Sequence, residues 1–386
     1  MKICTITGSR AEFFLLKNLI IKLQNDYKIK HDLLVTGSHN LKFFGNTIKD
    51  IKNSGISIKS TIDLDIKGEK SNDIAKYLST GVRKFSKKFF NIKPDLVLVL
   101  GDRYEIFSAV IAAYLHNIPI GHIYGGEKTL GSLDEGVRHS ITKLSNLHFV
   151  STKEYFNRVK QLGENQKFIY EVGSLGVESI RNYKKFSKKY IEKKLNLKFD
   201  KKNILMTFHP ETTKTKKENI FNLKKCINCL KRLKDTSIII TLPGADQNYK
   251  IITKNLENFK KKNKNVYLFK SLGHDYYFSI CKIVDLMIGN SSSGIIEMPS
   301  FKKVTINLGS RQKGRIQSKS VINVKFDERK ILSAIKKAYS LKFLKQLQKT
   351  NNPYEKKNSS DNIIKVLRQI NFTKLKTKEF FDYKLS

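Results

Sequence analysis

Short apolar runs alternate with longer stretches of helical periodicity along the whole chain. The first run, Lys2 to Thr7, is predicted to be a strand, and a turn at Gly8 to Glu12 leads into a helix that ends near Asn25. A long helix is predicted from about Asn72 to Phe90, before the continuous apolar run Leu96 to Leu100. A continuous run of this length indicates a strand that is buried on both faces of a parallel sheet.

The predicted strands form two consecutive series that alternate with helices. The first series is Lys2–Thr7, Asp32–Thr36, Ile58–Leu64, Leu96–Leu100, Ile120–Tyr124, Leu147–Ser151 and Ile169–Val172. The second series is Asn203–Phe208, Ser237–Leu242, Val266–Phe269, Leu286–Ile288, Lys303–Leu308 and Val321–Val324. Such alternation implies parallel sheets with right-handed crossovers. The fold class is therefore predicted to be α/β, with two Rossmann-like domains.

The chain has 386 residues, which is enough for two domains that each bury a core. The boundary is expected near Gly173 to Gly176 or in the lysine-rich segment after it. We predict a first domain at 1–175, a second at 176–359, and C-terminal helices at 360–386 that pack back on the first domain.

The composition narrows the class of protein. It is 40% hydrophobic, as in soluble globular proteins, and no run approaches the roughly 18 apolar residues of a membrane helix. The chain starts in a predicted strand without a basic and apolar leader, so we expect a cytoplasmic protein with no membrane partner. The four cysteines do not form a disulfide framework, and the pair Cys226 and Cys229 lacks a second ligand pair. We therefore expect no metal site.

The formal net charge of +40 suggests nucleic-acid binding, but the distribution of the charge argues against it. Lysines occur in nearly every polar stretch and do not gather into one stripe with interleaved aromatic residues. We therefore expect no nucleic-acid partner. A positive field of this size would instead steer an anionic substrate towards a cleft.

Carboxylates follow two neighbouring strands of the first series. Asp102 follows the fourth predicted strand, Glu127 follows the fifth, and Asp134 comes soon after. The carboxyl ends of such strands meet at one edge, where open α/β sheets bind their ligands, so the arrangement favours proton transfer. For any one carboxylate alone, helix capping or pairing with Arg103 or Arg138 is the alternative interpretation.

A turn of small residues, Gly289 to Gly294, follows the apolar end of a strand in the second series. Such a turn offers backbone N–H groups and hydroxyls to a phosphate at the start of a helix, and Glu297, one turn into that helix, is placed to accept hydrogen bonds from a ribose. A serine N-cap is the alternative. The turn that begins at Gly8 has the same two interpretations, and His209, at the end of a strand, is either structural or a diphosphate contact.

Seven motifs occur in a recognisable order. They are Thr7–Glu12, Gly101–Phe107, His122–Glu127, Arg138–Lys143, Phe208–Thr212, Gly289–Gly294 and Arg311–Arg315. Together they resemble the hydrolysing UDP-N-acetylglucosamine 2-epimerases, which make N-acetylmannosamine for bacterial sialic acid synthesis. The resemblance runs from Met1 to about Tyr354. It implies a fold of the glycosyltransferase B type with a central cleft for the nucleotide, no metal or redox cofactor, and a homodimer.

The resemblance also implies a reaction and roles for the residues. A base removes the proton at C2 of the sugar while UDP leaves from C1, and water then adds to the 2-acetamidoglucal intermediate with inversion at C2. Asp102, Glu127 and Asp134 would form the acid/base set, and Arg10 and His209 would stabilise charge on the departing diphosphate. The UDP-binding residues would be Gly8, Ser292, Ser293, Gly294 and Glu297. Weaker candidates on the sugar side are His39, Arg103, Arg138 and the loop Arg311–Lys313.

Two motifs differ from the non-hydrolysing branch of the same superfamily. This chain has Ser38-His-Asn40 and Gly125-Gly-Glu-Lys128 where that branch has Gln-His-Arg-Glu and Glu-Ala-Gly-Leu-Arg segments. Both differences favour the hydrolysing branch. Three alternatives stay open: the same reaction on UDP-N,N′-diacetylbacillosamine for legionaminic acid synthesis, a sugar transferase of the same fold, and a protein that only binds nucleotide sugars.

Overall fold

The structure is a computed structural model that describes residues 1–41, 47–68, 70–244 and 247–383. The chain divides into two compact units. The first unit consists of Met1–Glu127, Asp134–Ser179 and Lys356–Ser386, and the second of Lys128–Leu133 and Ile180–Glu355.

In the first unit, the described residues form a parallel sheet of seven strands in the order β3-β2-β1-β4-β5-β6-β7. The strands are β1 (Lys2–Thr7), β2 (Lys30–Thr36), β3 (Ser60–Ile62), β4 (Leu96–Leu100), β5 (Ile120–Ile123), β6 (Leu147–Val150) and β7 (Ile169–Glu171). The direction of winding reverses between β1 and β4. In a doubly wound sheet, ligands bind outside the carboxyl ends of the strands at such a switch point.

In the second unit, the described residues form a parallel sheet of six strands in the order β10-β9-β8-β11-β12-β13. The strands are β8 (Lys202–Thr207), β9 (Thr236–Thr241), β10 (Val266–Phe269), β11 (Leu286–Gly289), β12 (Val304–Leu308) and β13 (Val321–Val324). Its switch point lies between β8 and β11. The predicted α/β class with two parallel sheets is confirmed.

Helices connect the strands of both sheets. In chain order they are α1 (Arg10–Gln24), α2 (Thr47–Asn53), α3 (Ser71–Ile92), α4 (Tyr104–Leu115), α5 (Asp134–Leu144), α6 (Lys153–Gln161), α7 (Leu175–Asn182), α8 (Lys188–Leu195), α9 (Lys216–Lys231), α10 (Tyr249–Lys261), α11 (His274–Ile283), α12 (Ser293–Ile296), α13 (Glu328–Ala338), α14 (Leu341–Gln348) and α15 (Ser359–Gln369). Short 3-10 turns occur at Gly37–Asn40, Gln166–Phe168, Met298–Phe301 and Phe372–Leu375. Within the described part of the chain, no helix is long and apolar enough to cross a membrane.

The sheet of the first unit is covered on both faces, which explains the continuous apolar run of β4. Leu96, Leu98 and Leu100 face one core cluster, which also contains α1 and α15. Val97 and Val99 face the other cluster, which contains residues of α3 and α4. Because side chains alternate along a strand, a strand between two cores must be apolar at every position.

The C-terminal helix α15 packs on α1 in the first unit. Ile363 and Leu367 are fully buried in the core that α1 shares. At the edge of this contact, Lys22 Nζ donates to Ser360 Oγ at 2.8 Å and lies 2.7 Å from Asp361 Oδ1. The contact thus joins α15 to the first helix of the same unit.

The segment Lys128–Leu133 belongs to the second unit, although it lies within the range 1–175 predicted for the first domain. Its backbone is fixed there by distant loops. Leu130 N donates to Lys313 O at 3.0 Å, and Leu133 N donates to Thr212 Oγ1 at 3.0 Å. These bonds link residues far apart in sequence, so no local pattern predicted them.

Candidate active site

The turn after β1 is held by a reciprocal cap at the start of α1. The Ser9 side chain accepts from Glu12 N, and Glu12 Oε2 accepts from Gly8 N at 2.7 Å and from Ser9 N at 3.2 Å. This capping box satisfies backbone donors that the helix itself leaves unpaired. It places Arg10 at the first position of α1, at the carboxyl edge of the sheet. Burial lowers the pKa of Arg10, and the nearby Asp50 opposes that shift.

Glycines let the loops after β1 and β2 approach a buried carboxyl of α4. A Cβ added at Gly8 would lie 2.4 Å from Glu105 Cγ. A Cβ at Gly37, whose φ is +61°, would lie 2.4 Å from the carbonyl oxygen of Gly8. On the other side, Arg103 Nε donates to Glu105 Oε1 at 2.6 Å. Arg103, predicted on the sugar side, therefore pairs with Glu105.

Arg138 is the centre of the predicted acid/base region. Its side chain is only 2% exposed. Its Nη2 donates to Asp102 Oδ2, and its Nη1 donates to Glu135 Oε2 at 2.9 Å and to the Glu127 carbonyl oxygen at 3.1 Å. One guanidinium thus joins the loops after β4 and β5 to α5. The ion-pair alternative for Asp102 is realised, and the same pair orients the carboxylate at the edge of the sheet.

The other two predicted carboxylates lie nearby in the first unit. Glu127 is buried, with Ser151 Oγ donating to its Oε1 at 3.5 Å. Asp134 is the first residue of α5 and is half-buried. The pKa of Tyr104 is raised by burial and by the negative charge of Asp134. Tyr104 therefore supplies a neutral phenol near Asp134. The sequence analysis overlooked this residue, although it lies within the Gly101–Phe107 motif.

Two histidines of the first unit, His39 and His122, are buried. Burial lowers the pKa of His39 to about 4, and its two ring nitrogens lie 3.1 Å from Thr7 Oγ1 and 2.7 Å from Thr47 Oγ1. Burial lowers the pKa of His122 to about 3, and its Nε2 donates to the Gly101 carbonyl oxygen at 2.8 Å. Both rings are neutral at pH 7. Their contacts hold the loops after β2 and β4.

In the second unit, the loops after β8 and β11 are joined by an amide. His209 N donates to Asn290 Oδ1 at 2.7 Å, and Asn290 Nδ2 donates to the His209 carbonyl oxygen at 2.8 Å. Asn290 is fully buried. This reciprocal pair fixes His209 beside the turn that begins at Gly289, across the switch point of the sheet. Asn290 was not singled out, although it lies inside the predicted phosphate turn.

The phosphate turn itself is shaped by close backbone contacts. Gly289 has a φ of +138°, and a Cβ there would lie 2.0 Å from the Thr207 carbonyl oxygen, so only glycine fits. Ser292 occupies the N-cap position of α12 but makes no side-chain capping bond. Ser291 Oγ instead accepts from Ser293 N at 3.4 Å, so a serine side chain does bind a backbone N–H at the start of this helix. The Ser293 hydroxyl is held by Tyr277, whose Oη donates to it at 2.7 Å.

The helix after this turn is shorter than expected. We predicted that Glu297 lies one turn into a helix, but α12 has four residues and Glu297 is its C-terminal cap. A 3-10 turn that contains Pro299 follows directly. Proline lacks an N–H and disfavours helical backbone at the residue before it, which accounts for the early end. Glu297 is buried near this end.

A buried carboxylate that the sequence analysis overlooked joins the loops after β8 and β12. Glu211 Oε1 accepts from Ser310 N at 2.6 Å and from Arg311 N at 2.9 Å. In turn, Arg311 Nη1 and Gln312 Nε2 donate to the Asn290 carbonyl oxygen at 3.2 Å and 3.0 Å. Three loops at the carboxyl edge therefore form one network. A carboxylate directly after His-Pro at a strand end was the available signal for Glu211.

We expect Glu211→Ala to lower the free energy of unfolding by about 1–3 kcal/mol, because two backbone N–H groups lose a charged acceptor. The loop Ser310–Arg311 should move, and if the turn Gly289–Gly294 holds UDP, as the family resemblance implies, UDP affinity should fall about tenfold. Denaturant unfolding and calorimetric titration with UDP measure the two effects. Glu211→Gln keeps one acceptor oxygen and should recover part of both. Unchanged UDP affinity in the alanine variant would show that this network does not shape the nucleotide site.

The described residues contain no group of three or more His, Cys, Asp or Glu side chains placed to hold a metal ion. The four cysteines are buried and unbonded. Burial raises the pKa of Cys226, and the neighbouring Cys229 adds to the shift. These thiols are poor nucleophiles and poor metal ligands as they stand, since both roles need the thiolate.

Comparisons with known proteins identify the family of this chain. Residues 21–368 match the model of a protein family described as UDP-N-acetylglucosamine 2-epimerase. The chain is 40% identical to the polysialic acid biosynthesis protein P7 of Escherichia coli, over 99% of this chain and 97% of that protein. It is 39% identical to the GDP/UDP-N,N′-diacetylbacillosamine 2-epimerase (hydrolyzing) of Campylobacter jejuni, over 99% of each.

A solved structure shares the fold. The Methanocaldococcus jannaschii UDP-GlcNAc 2-epimerase in complex with UDP-GlcNAc and UDP matches with a TM-score of 0.79 at 19% identity. The match covers 95% of this chain and 99% of that chain. At this level of identity the similarity concerns the fold.

Proposed function

Since the chain belongs to the UDP-N-acetylglucosamine 2-epimerase family, we propose that it is a hydrolysing enzyme that converts UDP-N-acetylglucosamine and water to N-acetylmannosamine and UDP. The product would serve sialic acid synthesis, in line with the name of the Escherichia coli relative. The observation that carries the proposal is the group formed by Arg138 with Asp102, Glu135 and the backbone of Glu127. It gathers charged oxygens at the edge where a doubly wound sheet binds its ligand.

The first half of the proposed reaction is an elimination. A carboxylate of the first unit takes the proton from C2 of the sugar, the C2–C1 double bond forms, and the C1–O bond to UDP breaks. The candidates for this step are Asp102, Glu127 and Asp134. The Arg138 guanidinium favours the ionised form of Asp102, and an ionised carboxylate is the form that can accept a proton.

We propose that the second unit binds the leaving group, UDP. Backbone N–H groups and hydroxyls of the turn at Ser292, Ser293 and Gly294 would hold the diphosphate, and Glu297 would accept from the ribose. The Asn290 pair supports this assignment for His209, since it fixes that residue at the same edge of the sheet. Donors aimed at the departing diphosphate stabilise the charge that develops there. In the first unit, Arg10 and Gly8 are proposed to contact the anionic part of the substrate.

The second half is a hydration of the 2-acetamidoglucal. Water adds its oxygen at C1, and a proton reaches C2 from the face opposite to the one that lost it, which inverts C2. This step needs one group that accepts a proton from water and another that donates to carbon, so the groups must differ in protonation. The neutral phenol of Tyr104 and the carboxylates around Arg138 supply both kinds of group.

A second substrate is favoured by one specific observation. The Campylobacter jejuni relative, 39% identical over nearly the full length, is named for UDP-N,N′-diacetylbacillosamine and its GDP counterpart. The same elimination and hydration would then yield a sugar for legionaminic acid synthesis. The two UDP substrates differ in their substituents away from C1 and C2, where the proposed chemistry takes place.

Proton NMR in D2O separates these possibilities. The purified protein is incubated with UDP-N-acetylglucosamine and, separately, with UDP-N,N′-diacetylbacillosamine. Release of UDP with a free sugar that is deuterated and inverted at C2 is the expected result for the true substrate. Turnover of only the second compound would move the product to the legionaminic pathway. Binding of both sugars without turnover would favour a transferase or a binding protein.

The family resemblance also supports two further proposals, a homodimer and a cytoplasmic location. Light scattering on the eluate of a sizing column tests the first. A mass near twice 44.5 kDa is expected, and a mass near 44.5 kDa would contradict it. Fractionation of cells that express the protein tests the second.

A further inference from the structure

Two buried carboxyls meet at Gly8, where β1 ends. Glu12 is 5% exposed, and its Oε2 accepts from Gly8 N at 2.7 Å. Glu105 is 1% exposed, and its Cγ would lie 2.4 Å from a Cβ added at Gly8. The two side chains come from different helices, α1 and α4. The turn Gly8–Arg10, proposed above to face the substrate diphosphate, therefore rests on two acidic groups.

The charges around Glu12 do not balance if both carboxyls are ionised. The charged groups with the largest effects on the pKa of Glu12 are Glu105 and Asp102, which raise it, and Arg103, which lowers it. Arg103 is already bound to Glu105 Oε1 at 2.6 Å, and Asp102 is bound to Arg138. One guanidinium would thus serve two buried carboxylates beside one turn, and like charges this close raise the cost of ionising both.

The surroundings of the second oxygen of Glu12 also disfavour ionisation of both carboxyls. Among the described residues, Glu12 Oε1 is buried and has no hydrogen-bond partner. An ionised carboxylate would place about half of its charge on this unsolvated atom, which is strongly unfavourable. Burial, with the charge of Glu105 adding to it, raises the pKa of Glu12 to about 8. His39, which lies near Ser9, is neutral at pH 7 and supplies no compensating positive charge.

We propose that Glu12 is a positioning residue that carries a proton in the binding-competent protein, so that Glu12 and Glu105 together hold a single negative charge beneath the Gly8–Arg10 turn. The neutral carboxyl still accepts from Gly8 N and Ser9 N through Oε2. Loss of its proton adds a second negative charge directly behind a turn that faces an anion. This inference rests on the proposed binding of a UDP-sugar.

The consequence is a pH dependence of substrate binding. We expect KM for the UDP-sugar to rise about fivefold between pH 7 and pH 9, because binding of the anion would raise the pKa of Glu12 by about one unit from its value of about 8 in the free protein. Glu12→Gln cannot ionise and should change KM by less than twofold over the same range. The matched control is Glu218→Gln, because Glu218 is the capping-box carboxylate of α9 but is exposed. That variant should keep the wild-type profile.

A second measurement tests the protonation of Glu12 without an activity assay. The pKa of Glu12 is raised in the folded protein, so folding binds an extra proton between about pH 4.5 and pH 8, and this contribution to stability is lost as pH rises through that window. Urea unfolding at several pH values should therefore show a steeper fall of stability in the wild type than in Glu12→Gln. Equal slopes in the two proteins would overturn the proposal.

A third measurement needs no variant and covers the case in which Glu12→Gln does not fold. UDP is titrated into the wild type at pH 8.5 in two buffers with different ionisation enthalpies. Net uptake of a proton on binding is expected, and zero uptake would overturn the inference. If UDP does not bind at all, the proposed function fails, while the comparison of unfolding slopes still decides the protonation of Glu12.

Discussion

The Asp102→Asn variant is expected to lose about 10²–10⁴-fold in kcat, the usual contribution of a positioned acid or base. Asp102 lies at the carboxyl end of β4, and its Oδ2 accepts from Arg138 Nη2. Asparagine keeps an acceptor oxygen for this bond and almost the same volume. It cannot take a proton from carbon or from water. The loss should therefore appear in kcat, with KM and the affinity for UDP changed little.

The matched control lies at the other end of the same strand. Asp95 precedes β4 at the opposite edge of the sheet, where its Oδ2 accepts from Lys2 N at 2.7 Å. Asp95→Asn should keep kcat within about threefold of the wild type, since it removes a carboxylate remote from the ligand edge. UDP release is followed for both variants, and UDP titration checks the binding site. A kcat for Asp102→Asn within tenfold of the wild type would remove Asp102 from the acid/base set.

Arg138→Met is expected to lower the free energy of unfolding by about 2–4 kcal/mol, and to abolish turnover as well. Breaking a fully buried pair costs about 3–5 kcal/mol because the remaining charge is left without a partner. Here the side chains of Asp102 and Glu135 are 22% and 21% exposed, so water recovers part of that cost. Methionine fills most of the volume, which limits the contribution of a cavity.

Thermal unfolding measures this effect. A loss of this size corresponds to a fall in Tm of roughly 4–16 °C for a unit of 150–250 residues. Arg181→Met is the control, because Arg181 pairs with Glu355 at 2.9 Å, both side chains are more than a third exposed, and such pairs contribute about 0–1 kcal/mol. Equal losses in the two variants would mean that Arg138 acts as an ordinary surface cation. A stable but inactive Arg138→Met would assign its effect to the orientation of Asp102.

The sequence was a good guide wherever a residue's role depends on its own strand or turn. Asp102 and Glu127 were placed at the carboxyl edge because each follows an apolar run, and the structure puts them there. Gly289 was placed in a tight turn for the same reason. Strand periodicity and glycine are local signals, since they reflect the backbone and the solvent around a few consecutive residues.

The roles that were not predicted depend on partners far away in the sequence. Glu211 binds backbone groups 99 and 100 residues later, and Asn290 binds the backbone of His209, 81 residues earlier. Nothing in a local pattern says that Glu105 lies under Gly8. The short α12 was missed for a different reason, because Pro299 was not weighed against the helical pattern before it.

By itself, the sequence determined two α/β units with parallel sheets, the strands within them, and the edge at which polar residues collect, because alternation and apolar runs decide what each segment can bury. Only the tertiary structure decided which charges meet. It pairs Asp102 with Arg138, sets Glu12 beside Glu105, and assigns Lys128–Leu133 to the second unit. The physical reason is that the energy of a charge or an unpaired N–H depends on the groups around it in space, and folding brings those groups from distant parts of the chain.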